Sequence, residues 1–254
     1  MRSTANDGVL VEVVVENVAG AIAAAAAGAL RLELCQGLGE GGLTPSLGLF
    51  EAVRAAVKVP VFAMVRPRGG DFLYERSELD VMRRDLQHLK AAGADGIVSG
   101  ALLASGQLDE ALMRELIAAA APLPFTCHRA FDLCADPARA IEALVALGAA
   151  RVLTSGQSAS APAGAACIKA CVDRAGARLC VMAGAGVRDD NVRDLVAATG
   201  VREVHLSATA WRPSAMTFQQ KGVPMGTKTP EGEYVQRVTD GAMVARVVAA
   251  VRVR

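Results

Sequence analysis

Eight short β-rich runs alternate with helical stretches along the 254 residues of this chain. The runs cover 9–16, 31–35, 61–66, 96–100, 124–128, 151–155, 179–184 and 203–207. Repeated strand–helix–strand order calls for a parallel sheet with helical crossovers. Eight such units in a chain of this length predict a single-domain (β/α)8 barrel over 1–254, of the α/β class, with its working residues at the C-terminal ends of the strands.

Composition agrees with that architecture. Hydrophobic residues make up 52% of the chain, enough for a barrel interior and a strand–helix shell, but aromatics only 4%, so Ala, Val and Leu carry the packing. Twenty-seven basic and 26 acidic residues leave a net charge of +1 with no basic stripe, which speaks against a nucleic-acid partner. No apolar run approaches the roughly 18–20 residues of a membrane span. The polar segment 1–8 lacks the apolar stretch of a signal peptide. A cytoplasmic protein is expected, with its six cysteines as thiols. Cys167 and Cys171 are read as small side chains facing the sheet.

Helix starts are marked by Thr44–Pro45, Asp136–Pro137, a capping-box pattern from Ser77 to Asp80, Asp109 and Asp189. Gly28, Gly93 and Gly148 stand where helices should stop. The turns at that end are short. At the other end 36–44, 67–76 and 157–164 are longer, and 209–237 is long enough to be a lid, a binding loop or an interface arm.

Period-two alternation places Glu12, Val14 and Glu16 on one strand face, and Glu33 with Cys35, Met64 with Arg66 and Arg68, Thr126 with His128, and His205 with Ser207 on others. If those faces line the barrel, carboxylates, arginines and imidazoles converge at its top. Such a group is either a structural salt-bridge network or a site, and barrels place their chemistry there. Glu12, Glu33, His128 and His205 are candidate acid–base residues, and Arg66 a candidate grip for a carboxylate or phosphate. Arg68, Gly184, Gly186 and Ser207 are further candidates for holding an anion. A metal is the competing reading, with Cys35, His128 and His205 as ligands.

Several strings resemble the CutC family. They are Glu33-Leu-Cys35, Glu40-Gly-Gly-Leu-Thr-Pro-Ser-Leu-Gly48, Val65-Arg-Pro-Arg-Gly-Gly-Asp-Phe72, His128-Arg-Ala-Phe-Asp132, Arg151-Val-Leu-Thr-Ser-Gly156, Met182-Ala-Gly-Ala-Gly186 and Glu203-Val-His-Leu-Ser-Ala208. The resemblance runs from about residue 10 to the C-terminus. It implies a (β/α)8 barrel, a cytosolic setting, a homo-oligomer and a role in copper homeostasis. Copper(I) binding in that family leans on a first-strand cysteine together with the one matching Cys35. Here Val14 stands in the first place, so the pair is broken. The carboxylate, arginine and histidine positions match. Two functions are therefore expected: a copper homeostasis protein with copper(I) on Cys35, or an enzyme or binding protein for a small anionic metabolite, phosphorylated or not. Beyond copper(I), no cofactor is expected.

Overall fold

The computed structural model describes residues 8–223, 225 and 232–252. Residues 1–7 of the polar N-terminal segment, and residues 224 and 226–231 of the long 209–237 segment, lie outside the described part. The eight runs become strands β1 (Leu10–Val15), β2 (Arg31–Leu34), β3 (Val61–Met64), β4 (Gly96–Ser99), β5 (Phe125–Cys127), β6 (Arg151–Thr154), β7 (Cys180–Ala183) and β8 (Glu203–Leu206). They pair in parallel in sequence order, and β8 closes on β1. Between and after them run α1 (Val18–Ala26), α2 (Leu47–Ala56), α3 (Arg76–Ala91), α4 (Glu110–Ala120), α5 (Pro137–Leu147), α6 (Ala165–Ala175), α7 (Val192–Thr199) and α8 (Gly241–Arg252). The (β/α)8 barrel is thus what the alternation requires.

Local chemistry explains most boundaries. Asp109 caps α4 by accepting from the Leu112 N–H at 3.0 Å, and Asp136 caps α5 through Arg139 N–H at 3.0 Å. Gly28, Gly93 and Gly148 adopt φ of 96°, 92° and 78°, the left-handed stop that glycine takes without penalty. Three expected starts are displaced. Ser46, rather than Thr44, caps α2, because the Thr44 hydroxyl is engaged with the Arg66 backbone. The capping box of α3 is Glu75 with Glu78, not Ser77 with Asp80. Helix α7 begins at Val192 instead of 189, and Asp189 pairs with Arg246.

Two shells of apolar packing hold the barrel. The outer one lies between strands and helices and contains fully buried Phe50, Met82, Leu86, Met113, Leu116 and Ile141. Each such side chain contributes about 1.5–3 kcal/mol over its exposed state. Inside, the stagger of the strands stacks side chains in levels of four taken from alternate strands. Upward from the bottom these are Arg31, Gly96, Arg151 and Glu203; then Glu12, Phe62, Thr126 and Met182; then Glu33, Val98, Leu153 and His205. Gly96 is required at the bottom, since a Cβ there would lie 2.6 Å from the Phe62 ring.

The long segment after β8 contains two more strands. β9 (Thr209–Pro213) and β10 (Val235–Thr239) form an antiparallel pair outside the barrel. Met216, Phe218 and Met225, beyond β9, are exposed.

Candidate functional site

The two lower levels are an ion network. Arg31 binds both Glu12 and Glu203, and Arg151 reaches Glu203 at 3.0 Å. The two guanidinium groups lie 5.0 and 5.1 Å from the Phe62 ring centre. Arg151 also donates to the Thr126 hydroxyl at 3.4 Å. Each buried charge therefore has partners, which burial demands. Sequence reading missed Arg31, Arg151 and Glu203. The signal was there: Arg31 and Glu203 stand two residues before Glu33 and His205, on the same strand faces.

Glu12 belongs to this network. Burial alone would raise its pKa, but the His205 hydrogen bond and the Arg31 charge outweigh it and bring it to about 2. Glu12 is thus a permanent carboxylate that anchors His205 Nδ1 at 2.7 Å. Burial disfavours the charged ring of His205, yet the carboxylates of Glu33 and Glu12 raise its pKa. The donor atoms of Glu12, Glu33 and His205 lie within 4.8 Å of one another. These are oxygen and nitrogen donors, suited to a hard or borderline divalent cation, with Glu12 already engaged by Arg31.

Glu33 is different. Among the described residues its Oε2 reaches no hydrogen-bond partner, and burial, the largest influence, raises its pKa to about 7. It can therefore hold or release a proton near neutrality.

Above this floor opens a cavity of about 610 Å³, lined by Glu33, Arg66, Phe72, His128, Asp132, Gly186, Arg188, His205 and Ser207 among others. His128 follows β5. Its Nδ1 accepts from the Ala130 N–H at 3.2 Å, so the neutral ring carries its proton on Nε2. Burial, with Arg66 nearby, lowers its pKa to about 3. Nε2 has no partner. Gly100 gives the ring room, since a Cβ there would sit 2.7 Å from Nδ1.

Arg66 is less available than its sequence position suggested. Its guanidinium donates to the carbonyls of Glu40, Gly42 and Gly70 at 2.7, 3.0 and 2.8 Å and lies 4.8 Å from the Phe72 ring centre. It braces the loops after β2 and β3, and among the described residues its Nε alone is unpartnered. Arg68 does not reach the cavity lining. It pairs with Glu78 at 2.5 Å and Asp71 at 3.1 Å and lies over Tyr74. Gly184 serves packing, because a Cβ there would lie 2.5 Å from Leu153 Cδ1. Gly186 and Ser207 do line the cavity.

Cys35 sits fully buried in an apolar cluster with Val14, Phe62, Met64 and Val98, and it does not line the cavity. Burial pushes its thiol well above the ordinary range, and the charges of Glu33 and Glu16 push the same way. Asp132, the last residue of the His128–Asp132 string, has a role that strand alternation does not reveal. Its carboxylate accepts from Thr154 Oγ1 at 2.5 Å, Ser155 Oγ at 2.9 Å, Ser155 N–H at 3.0 Å and Arg129 Nε at 2.7 Å. It ties the turn after β5 to the end of β6.

Comparison with known proteins places this geometry. The CutC family profile matches residues 9–210. A Mus musculus protein named copper homeostasis protein cutC homolog is 46% identical over 239 residues, 94% of this chain and 88% of that protein. A CutC family protein of Chromobacterium violaceum is 45% identical over 235 residues, covering 92% of this chain and 95% of the relative. The crystal structure of CutC from Streptococcus agalactiae superposes with a TM-score of 0.75 at 33% identity, covering 78% of this chain and 98% of that one.

Proposed function

Because this chain belongs to the CutC family, we propose that it shares the copper homeostasis role for which its mammalian relatives are named, and that it works through a barrel-top cavity that takes a small organic anion. One observation carries the second half. Among the described residues, four buried side-chain polar atoms have no hydrogen-bond partner, and three of them, Glu33 Oε2, Arg66 Nε and His128 Nε2, belong to residues lining one cavity. A buried polar atom left alone costs about 1–3 kcal/mol. Three such groups on residues around one space mark that space as the candidate ligand site. Two are donors, asking for a carbonyl or carboxylate oxygen. The third is a carboxyl group that can meet a hydroxyl or take a proton. Glu33 is the acid–base residue of this reading, His205 the imidazole that Glu12 holds in place and whose protonated form the carboxylates favour, and His128 the neutral donor.

Copper(I) on Cys35 is the second reading, and one contact favours it. A Cβ on Gly42 would lie 3.2 Å from Met64 Cε and 3.3 Å from Cys35 Sγ, so a thioether and a thiol border one spot. Both are soft donors. The donor set otherwise fits copper(I) poorly: the thiol is sealed in an apolar cluster that resists thiolate formation, and Val14 offers no sulfur. A homo-oligomer in the cytoplasm completes the proposal, supported by six unpaired cysteines and by the exposed apolar residues beyond β9.

Complementation of copper-sensitive cells tests the reading. Cys35→Ala should restore copper tolerance as the parent does, while Glu33→Gln and His128→Gln, if they accumulate to the same level, should not. The reverse pattern would overturn it. In vitro, a small hydroxy acid at 100 times its dissociation constant should stabilise the parent by about 2.7 kcal/mol and protect neither cavity variant.

A further inference from the structure

The loops that follow β7 and β8 form a second wall of the cavity, and their backbone is unusual. Ala185 and Ala208 take positive φ of 73° and 42°, and Gly186 takes 71°. Only three non-glycine residues in the described chain do so, and two of them border this cavity. Left-handed alanine is costly and persists where surrounding structure imposes it.

The imposing contacts are visible. The Ala185 carbonyl accepts from the Ala161 N–H at 2.8 Å. The Gly186 carbonyl accepts from Asn191 Nδ2 at 2.9 Å, while Asn191 Oδ1 accepts from the Arg188 N–H at 2.9 Å. The Ala208 carbonyl accepts from the Asp240 N–H at 2.7 Å. Ala161, Asn191 and Asp240 all lie outside the cavity lining. In a trans peptide the C=O and the following N–H point in opposite directions. Pinning those carbonyls outward turns the N–H groups of Gly186, Val187 and Thr209 the other way, and all three residues line the cavity. Among the described residues no hydrogen bond takes the Gly186 or Val187 N–H. At the rim the exposed Arg188 guanidinium carries no ion pair or hydrogen bond among the described residues.

From this geometry we infer that the β7 and β8 loops hold a phosphate group, the Gly186 and Val187 amides facing its oxygens and Arg188 its charge, so that the cavity's ligand is a phosphate monoester of a short hydroxy or carbonyl compound. Backbone amides turned into one concavity bind anions, and an arginine adds a charge-assisted grip. The inference rests on the reading of the cavity as a ligand site. It extends that reading to a region remote in sequence from Glu33 and His128, where the carbon-borne oxygens of the same ligand would lie.

Amide-resolved NMR titration of the full chain tests it with four probes: inorganic phosphate, glycerol 3-phosphate, glycerol and lactate as a small hydroxy acid. Both phosphates should move the Gly186 and Val187 amide signals, and glycerol should not. Glycerol 3-phosphate should also move the His128 ring signals. Arg188→Ala, which removes an exposed unpaired side chain, should weaken phosphate binding roughly tenfold without altering the spectrum elsewhere. Asn191→Asp cannot donate to the Gly186 carbonyl and sets a negative charge behind the loop, so it should weaken binding further. Phosphate that leaves Gly186 and Val187 unmoved, or that binds Asn191→Asp and the parent alike, would overturn the inference. Hydroxy acids that move Glu33 and His128 while phosphate ignores the loop would sink the phosphate site and leave the cavity reading standing. Phosphate that moves the loop while no hydroxy-bearing probe reaches Glu33 or His128 would do the opposite.

Discussion

Glu33 and Glu12 sit side by side at the floor of the cavity, yet they titrate in opposite directions because Glu12 is hydrogen-bonded to His205 and Arg31, while for Glu33 burial prevails. For Glu33 the pKa rises from 4.5 to about 7 on folding. The folded protein therefore holds this proton more tightly, and stability falls as pH rises from the unfolded value through about 7, then levels off. Glu33→Gln removes that slope. It should be more stable than the parent at pH 8 by roughly 1–3 kcal/mol, with the gap shrinking toward pH 5. Denaturant melts at the two pH values decide it, and a constant gap would contradict the raised pKa. For Glu12, brought down to about 2, stability is present above 4.5 and is lost as pH falls toward the folded value. Val14 carries the copper prediction. It shares an apolar cluster with Cys35 and Met64, so Val14→Cys should supply the missing soft donor and raise copper(I) affinity, read by competition with a chelator. Alternation alone gave the inward positions of Glu12, Glu33, His128 and His205. It could not tell that Arg66 spends its hydrogen bonds on carbonyls, since backbone partners leave no mark in a side-chain pattern.

At the scale of elements, the helices that began where expected have their caps adjacent to the first turn, as Asp109 and Asp136 do. Those that did not were displaced by tertiary contacts. Thr44 is taken by Arg66, and Asp189 by Arg246, a residue on α8 that no local pattern could identify. Arg66 also links two loops to the end of β3. Lysine in its place keeps the charge but cannot span the carbonyls of Glu40, Gly42 and Gly70 together. Arg66→Lys should therefore leave helix content unchanged, lower stability by about 1–3 kcal/mol and speed proteolytic cleavage within 36–44. Unchanged cleavage would show that the loops are held by other contacts.

For the molecule as a whole, the barrel was legible because its repeat is long and regular, while the β9–β10 arm was not. Its strands are separated by some twenty residues and pair outside the periodic unit. Met216 at 58% exposure, Phe218 at 69% and Met225 at 73% lie beyond β9 on one chain segment. Apolar groups so placed mark association surfaces. The proposed homo-oligomer should lose mass in light scattering on Phe218→Ser with Met225→Ser, with the melting curve of the barrel retained. The ion-paired lower levels have a further consequence. With Arg31, Arg151, Glu203 and Phe62 filling the barrel from below, the described residues leave the chamber no exit through its floor. Whatever enters from the top must back out at the top. If chemistry occurs there, its product will compete directly with the next substrate, and the pace of turnover will be set at the chamber's mouth as much as at Glu33.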